Sequence, residues 1–196
     1  MNQKTIYLIR HGFSLHNELF PKIGIEAFRI KETIDSPLTE EGHNQSIQLG
    51  KNWTDKHNVE LVLVSPLTRA LETAMNIFGD TDIPIICQEF IREYPIGEDT
   101  CNQRSSKDKI KNMYPQINFN DILMNEDTAW TPKRESIESL NQRIEQIKEY
   151  LNKRNEKTIA VITHSSLMGQ WKDNYIRYQE NGDTELKHCY PYEYKL

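Results

Sequence analysis

At 196 residues, with 37% hydrophobic and 27% charged side chains, the chain can bury a core without disulfide or metal staples and is too apolar to be disordered throughout. A mean hydropathy of −0.73 and apolar runs of only about four or five residues exclude a membrane-spanning helix, which needs ~20. The net charge of −5 argues against a nucleic-acid partner, while leaving room for a local pocket that takes an anion.

The N-terminal stretch IYLI is too short for the apolar region of a secretory signal and runs directly into Arg10 and His11. Cys87, Cys101 and Cys189 are widely spaced, odd in number and without a Cys-x-x-Cys pair, so they read as free thiols rather than as a disulfide or zinc set. Both features predict a cytoplasmic protein without a metal.

Taken in chain order, residues 5–9 (TIYLI) are β-branched and apolar, bounded by Gly12, and predict a buried strand. Residues 39–54 predict a helix with Thr39 as cap, Glu40 and Glu41 in its first turn, and Ile47, Gly50 and Trp53 on one face. Residues 60–64 (ELVLV) predict a second strand. Ser65-Pro66 reads as N-cap and first-turn proline of a helix with Leu67, Leu71, Ala74 and Phe78 on one side. Residues 83–87 (IPIIC) predict a third strand.

From 88 to 132 the chain is rich in Pro, Asn, Asp and Lys, which predicts an irregular excursion with one short helix near 105–113. Ile137, Leu140, Ile144, Ile147 and Leu151 follow steps of three and four and predict an amphipathic helix over 136–153. Residues 158–162 (TIAVI) predict a fourth strand, followed by His164 and a helix from about 166. The tail 185–194 alternates weakly, as an edge strand would. Alternation of strands and helices predicts one α/β domain over 1–196. It would be a three-layer α/β/α sandwich on a mostly parallel sheet, with 88–132 inserted as a cap.

In open α/β sheets, ligands bind beyond the carboxyl ends of the strands. Three predicted strands lead there into Arg10-His11, Arg69 and Thr163-His164. Two guanidinium groups beside two imidazoles suit a phosphoryl group: arginine forks match its oxygens, and histidine near neutrality can attack, donate or accept a proton. A neutral imidazole attacking phosphorus would give a phosphohistidine without a metal or other cofactor.

The same residues carry a family resemblance. Arg10-His11-Gly12 followed by Asn17 resembles the signature of the histidine phosphatase superfamily, which includes the cofactor-dependent phosphoglycerate mutases. The segments 35–42 (DSPLTEEG), 65–74 (SPLTRALETA) and 161–165 (VITHS) resemble further blocks of that family, in the family's order over roughly residues 5–170. The His16-Asn17 pair, Arg92-Glu93, the segment 101–105 (CNQRS), Phe119 and the segment 127–131 (DTAWT) are similar to its plant and fungal phosphoglycerate mutase-like group.

The resemblance implies that His11 is the phosphorylated nucleophile and that Arg10, Asn17, Arg69 and His164 hold the phosphoryl group. It implies that Glu93 protonates the leaving oxygen, with Glu89, Glu98 and Asp99 as nearby competitors for that role. Arg104 is a candidate contact for a second anionic group on the substrate. Asn17 doubles as a candidate cap for a helix starting near Glu18, His16 reads as structural, and His43, His57 and His188 read as residues without a role. Cys87 and Arg92 are one residue too close for a cysteine-phosphatase loop, and no glycine cradle lies between them.

The expected function is hydrolysis of a small phosphorylated substrate through a phosphohistidine. A phosphoglycerate mutase is the alternative, although the stretch after Glu93 (YPIG) departs from the mutase pattern. A non-catalytic phosphate-binding protein is the second alternative. Sugar phosphates, phosphoacids, nucleotides and phosphopeptides fit the sequence equally, and no residue pattern sets an oligomeric state.

Overall fold

A computed structural model describes residues 3–176 and 186–196. Five strands form one sheet: β1 (Thr5–Arg10), β2 (Leu61–Val64), β3 (Ile85–Cys87), β4 (Thr158–Thr163) and β5 (Pro191–Lys195). Their order is β3-β2-β4-β1-β5; the first four are parallel and β5 runs antiparallel along β1. The helices are α1 (Leu15–Ile23), α2 (Glu40–Asn52), α3 (Thr68–Phe78), α4 (Lys107–Met113), α5 (Ile137–Lys153) and α6 (Ser165–Asp173). No helix among the described residues is long and apolar enough to cross a membrane.

The central strands are apolar on both faces because both faces are covered. Tyr7, Ile9, Val62, Val64, Ala160 and Ile162 pack against Leu71, Ala74, Ile77 and Phe78 of α3. The alternate residues Ile6, Leu8, Leu61, Leu63, Ile159 and Val161 face Leu140, Ile144, Ile147 and Leu151 of α5 and Leu167, Met168 and Trp171 of α6. The period of two in the strands meets the period of 3.6 in the helices, and the predicted three-layer α/β sandwich results.

Most of the expected elements form, with shifted ends. Thr39 caps α2 by accepting from the Gly42 amide at 3.2 Å. The inward face of α2 carries Gly42, Ser46 and Leu49; of the predicted row, Gly50 packs on the backbone of α3 and Trp53 joins the core, while Ile47 is only half-buried and outside it. Ser65 does not cap α3. That helix starts at Thr68, and its first amide is taken by Asp35 Oδ1 at 2.8 Å, with the Thr68 hydroxyl on Oδ2 at 2.7 Å. Pro66 thus belongs to the approach to the helix, and the cap comes from a residue 33 positions upstream. Asn17 does not start a helix either. Ser14 is the cap of α1, and the Asn17 side-chain Oδ1 accepts from the Ser14 amide and hydroxyl at 3.3 and 2.6 Å. The C-terminal strand is shorter than the alternation at 185–194 predicts, and residue 185 lies outside the described residues.

Candidate active site

Strands β2, β4 and β1 lie side by side and point their carboxyl ends the same way. Arg10 is the last residue of β1, His164 follows β4, and Arg69 is in the first turn of α3 after β2. The His11 and His164 ring centroids are 5.0 Å apart. The His11 amide donates to the Thr163 carbonyl at 3.0 Å, so the β1–β4 ladder itself fixes where the loop leaves the sheet.

His11 is held in one tautomer. Its Nδ1 faces the Gly12 carbonyl at 2.7 Å, and a carbonyl only accepts, so Nδ1 carries the proton. Nε2 faces the Arg69 Nε–H at 3.3 Å and presents its lone pair. Burial, followed by the charges of Arg69, the neighbouring histidines and Arg10, pushes the His11 pKa well below its ordinary value and keeps the ring neutral.

Arg69 is fully buried, and its other donors reach the Cys101 carbonyl at 2.7 Å and Asn102 Oδ1 at 2.8 Å. His164 Nε2 is 2.8 Å from the Ser65 hydroxyl, so Ser65 orients this imidazole instead of capping a helix. His164 Nδ1 is buried without a hydrogen-bond partner among the described residues.

Glu93 borders the same cavity, after β3 and a short turn. One carboxylate oxygen accepts from the Tyr94 amide at 2.8 Å and the Leu167 amide at 3.3 Å, and the other from the Ser166 amide at 3.5 Å. It therefore sits on the N-terminal end of α6. Desolvation raises its pKa, and the amides together with Arg69 and Arg10 only partly offset that.

The cavity bordered by Arg69 and Glu93 has a volume of about 200 Å³; His11 and His164 are buried and are not among the residues that line it. Arg10, Asn17, Arg69 and Glu93 line it, with His16 and Ser165 beside them. The oxygen of Asn17 is committed to Ser14, which leaves its amide NH₂ for a ligand.

The geometry brings together two glycine-bearing segments that the sequence could only place in order. A Cβ on Gly42 would lie 2.0 Å from the Phe13 carbonyl oxygen, and one on Gly12 would lie 2.5 Å from the Gly42 oxygen. The loop carrying His11 rests backbone to backbone on the first turn of α2, a contact that tolerates no side chain.

Arg104 is not at the site. Its guanidinium is buried against Glu89 at 2.6 Å and the carbonyls of Ser105, Met124, Asn125 and Glu126, which occupies its donors. The expected anion contact at Arg104 is thereby corrected to a brace inside the 88–132 segment. Arg92 is likewise internal, paired with both oxygens of Asp127 at 2.8 and 2.6 Å. His188, read from the sequence as without a role, packs 5.5 Å from the His11 ring and donates through Nδ1 to the His11 carbonyl. No local signal marks it; only its return along β1 through β5 brings it there. The mouth of the cavity also uses Ile25 and Phe28, from a turn to which the sequence pattern gave no function.

Residues 6–187 match the model of the histidine phosphatase superfamily, branch 1. The chain belongs to that superfamily. It is 32% identical to phosphoglycerate mutase-like protein 1 of Arabidopsis thaliana, over 84% of this chain and 69% of that one. A Schizosaccharomyces pombe protein named "probable phosphatase" is 30% identical over 82% of this chain and 74% of its own. The alpha-ribazole phosphatase of Shigella flexneri shares the fold, with a TM-score of 0.58 at 21% identity over 84% of this chain and 76% of that one. Membership makes this superfamily chain a phosphatase- or mutase-type enzyme.

Proposed function

We propose that the chain hydrolyses small phosphate monoesters through a phosphohistidine on His11. One observation carries this reading: Gly12 fixes the His11 tautomer that leaves the Nε2 lone pair on the side of Arg69, which itself borders the cavity. In the first step Nε2 attacks phosphorus and the bond from phosphorus to the ester oxygen breaks. The departing oxygen takes its proton from Glu93, whose pKa burial raises above the ordinary carboxylate value. Arg10, Arg69, the Asn17 amide and His164 Nδ1 hold the charge that develops on the equatorial oxygens. In the second step the Glu93 carboxylate takes a proton from water. The water oxygen attacks phosphorus, the P–N bond breaks, and inorganic phosphate leaves with His11 neutral again.

Hydrolysis is favoured over mutase chemistry because Arg92 and Arg104, cations that could have held a rebinding phosphoacid, are spent on internal carboxylates. The test is 4-nitrophenyl phosphate turnover by the wild-type chain and by a folded His11→Ala variant, with rapid acid-labile labelling from a ³²P-ester. Loss of both turnover and label in the variant is the expected result. Retained turnover removes His11 as the nucleophile.

A further inference from the structure

The outer half of the cavity differs in character from its floor. Ile25, Phe28, Tyr94, Pro95 and Ile176 form an apolar wall. The Phe28 ring is held in place, stacked on Phe20 at 5.1 Å and edge-on to His16 at 5.7 Å. Ile25 is 48% exposed at the rim, an apolar surface continuous with the cavity.

The charged groups at this mouth cancel one another. Arg134 donates to Glu98 at 2.7 Å and lies over the Tyr94 ring, 5.2 Å from its centroid. Arg29 bridges Glu98 at 2.9 Å and Asp99 at 3.1 Å. Two guanidinium groups therefore meet two carboxylates, and Asp99 is the member that, with Arg134, borders the cavity. A second anion on a substrate would have to break one of these pairs and approach a carboxylate.

We infer that this site takes the monophosphate ester of an apolar, uncharged alcohol and discriminates against esters that carry a second anion. The inference rests on the phosphatase reading and adds the chemistry of the group attached to the phosphate. The floor supplies the charge for one phosphoryl group. The mouth offers apolar contact and no net positive charge among its described residues, so selectivity comes from desolvating a carbon skeleton.

The test compares three primary alkyl esters, so that the leaving oxygen is alike in each: 3-phenylpropyl phosphate, glycerol 3-phosphate and 3-phosphoglycerate. The expected order of kcat/KM follows that sequence, with about tenfold or more between the first and the last. Phe28→Ala is expected to reduce the preference for 3-phenylpropyl phosphate over glycerol 3-phosphate by about tenfold, mainly through KM. Glu98→Gln, which removes the carboxylate that pairs with Arg134 and leaves Arg29 on Asp99, is expected to shift selectivity several-fold toward 3-phosphoglycerate. Equal or better turnover of 3-phosphoglycerate by the wild type, or an unchanged preference in Phe28→Ala, overturns the inference.

Calorimetric binding of 4-phenylbutylphosphonate against 3-phosphoglycerate separates this idea from the phosphatase reading. Tighter binding of the phosphonate without turnover of any ester upholds the apolar preference and removes the hydrolase. Weaker binding of the phosphonate removes the preference whatever the turnover.

Discussion

His188 Nδ1–H donates to the backbone carbonyl of His11 at 2.6 Å, tying the C-terminal segment to the loop that carries the central imidazole. Two neighbouring contacts make the same junction: the Cys189 amide on the Arg10 carbonyl at 2.9 Å, and Arg10 Nη1 on the Leu186 carbonyl at 2.8 Å. Burial and the charge of Arg10 lower the His188 pKa to about 3, which keeps the ring neutral. Removing the ring leaves a buried carbonyl unpaired, at a cost of about 1–3 kcal/mol. His188→Ala is expected to lower kcat by about tenfold with a smaller change in KM, and His188→Asn, which restores a donor, to recover part of it. A loss confined to KM, or an Asn variant no better than Ala, would mean that the ring does not position His11.

Glu93 is expected to matter in proportion to the basicity of the leaving group. An alkoxide needs its proton, whereas 4-nitrophenolate leaves without one. Glu93→Gln should cost about 10²–10⁴-fold in kcat/KM on an alkyl phosphate and far less on 4-nitrophenyl phosphate. The nitrophenyl ester should also give a burst of nitrophenolate, because the second step lacks its base. In the wild type, kcat/KM for the alkyl ester should fall as pH rises through the elevated Glu93 pKa, and that alkaline limb should vanish in the variant. Equal losses on both esters would assign the acid role elsewhere.

Arg104 is a test of inward against outward placement. Arg104→Lys keeps a charge and loses the fork that serves Glu89 and four carbonyls. The expected cost is about 3 kcal/mol of stability, read from urea denaturation, because buried charge and carbonyls lose their partners. KM for a phosphate monoester should not move. A rise in KM at unchanged stability would return Arg104 to the substrate.

Acid should destabilise the fold before it titrates ordinary carboxylates. His11, His16, His164 and His188 all have lowered pKa values, with burial as the leading cause. Once unfolded, they protonate near ~6.5. Below that pH the unfolded chain binds more protons than the folded one, so stability drops as pH falls, for His188 from ~6.5 down to about 3. Each histidine contributes a slope of up to about 1.4 kcal/mol per pH unit in its window. Glu93, with a raised pKa, acts in the opposite sense: its contribution is present at low pH and is lost as pH rises through the folded value. Glu72 and Asp99 act in the same sense as Glu93, and the four imidazoles outweigh these three carboxyls between pH 7.5 and 5.5. Urea denaturation at pH 7.5, 6.5 and 5.5 should give steadily lower midpoints; a flat series would show that these rings titrate alike in the folded and unfolded chain.

The local pattern of the chain determined the alternating strands and helices, the two-sided burial of β1, β2 and β4, and the order of the segments bearing Arg10, His11, Arg69 and His164. These follow from side-chain periodicity, which neighbouring residues set among themselves. The tertiary structure decided which arginines serve the cavity and which serve the frame. Arg10 and Arg69 border the cavity because β1 ends and α3 begins at that sheet edge. Arg92 and Arg104 turn inward because Asp127 lies 35 positions from the first and Glu89 lies 15 from the second. The same holds for Asp35 capping α3, for Phe28 and Ile25 at the mouth, and for His188 beside His11. A guanidinium or imidazole takes its role from whichever carboxylates, carbonyls and rings the folded chain places around it. Those partners are distant in sequence, so no window of residues encodes them.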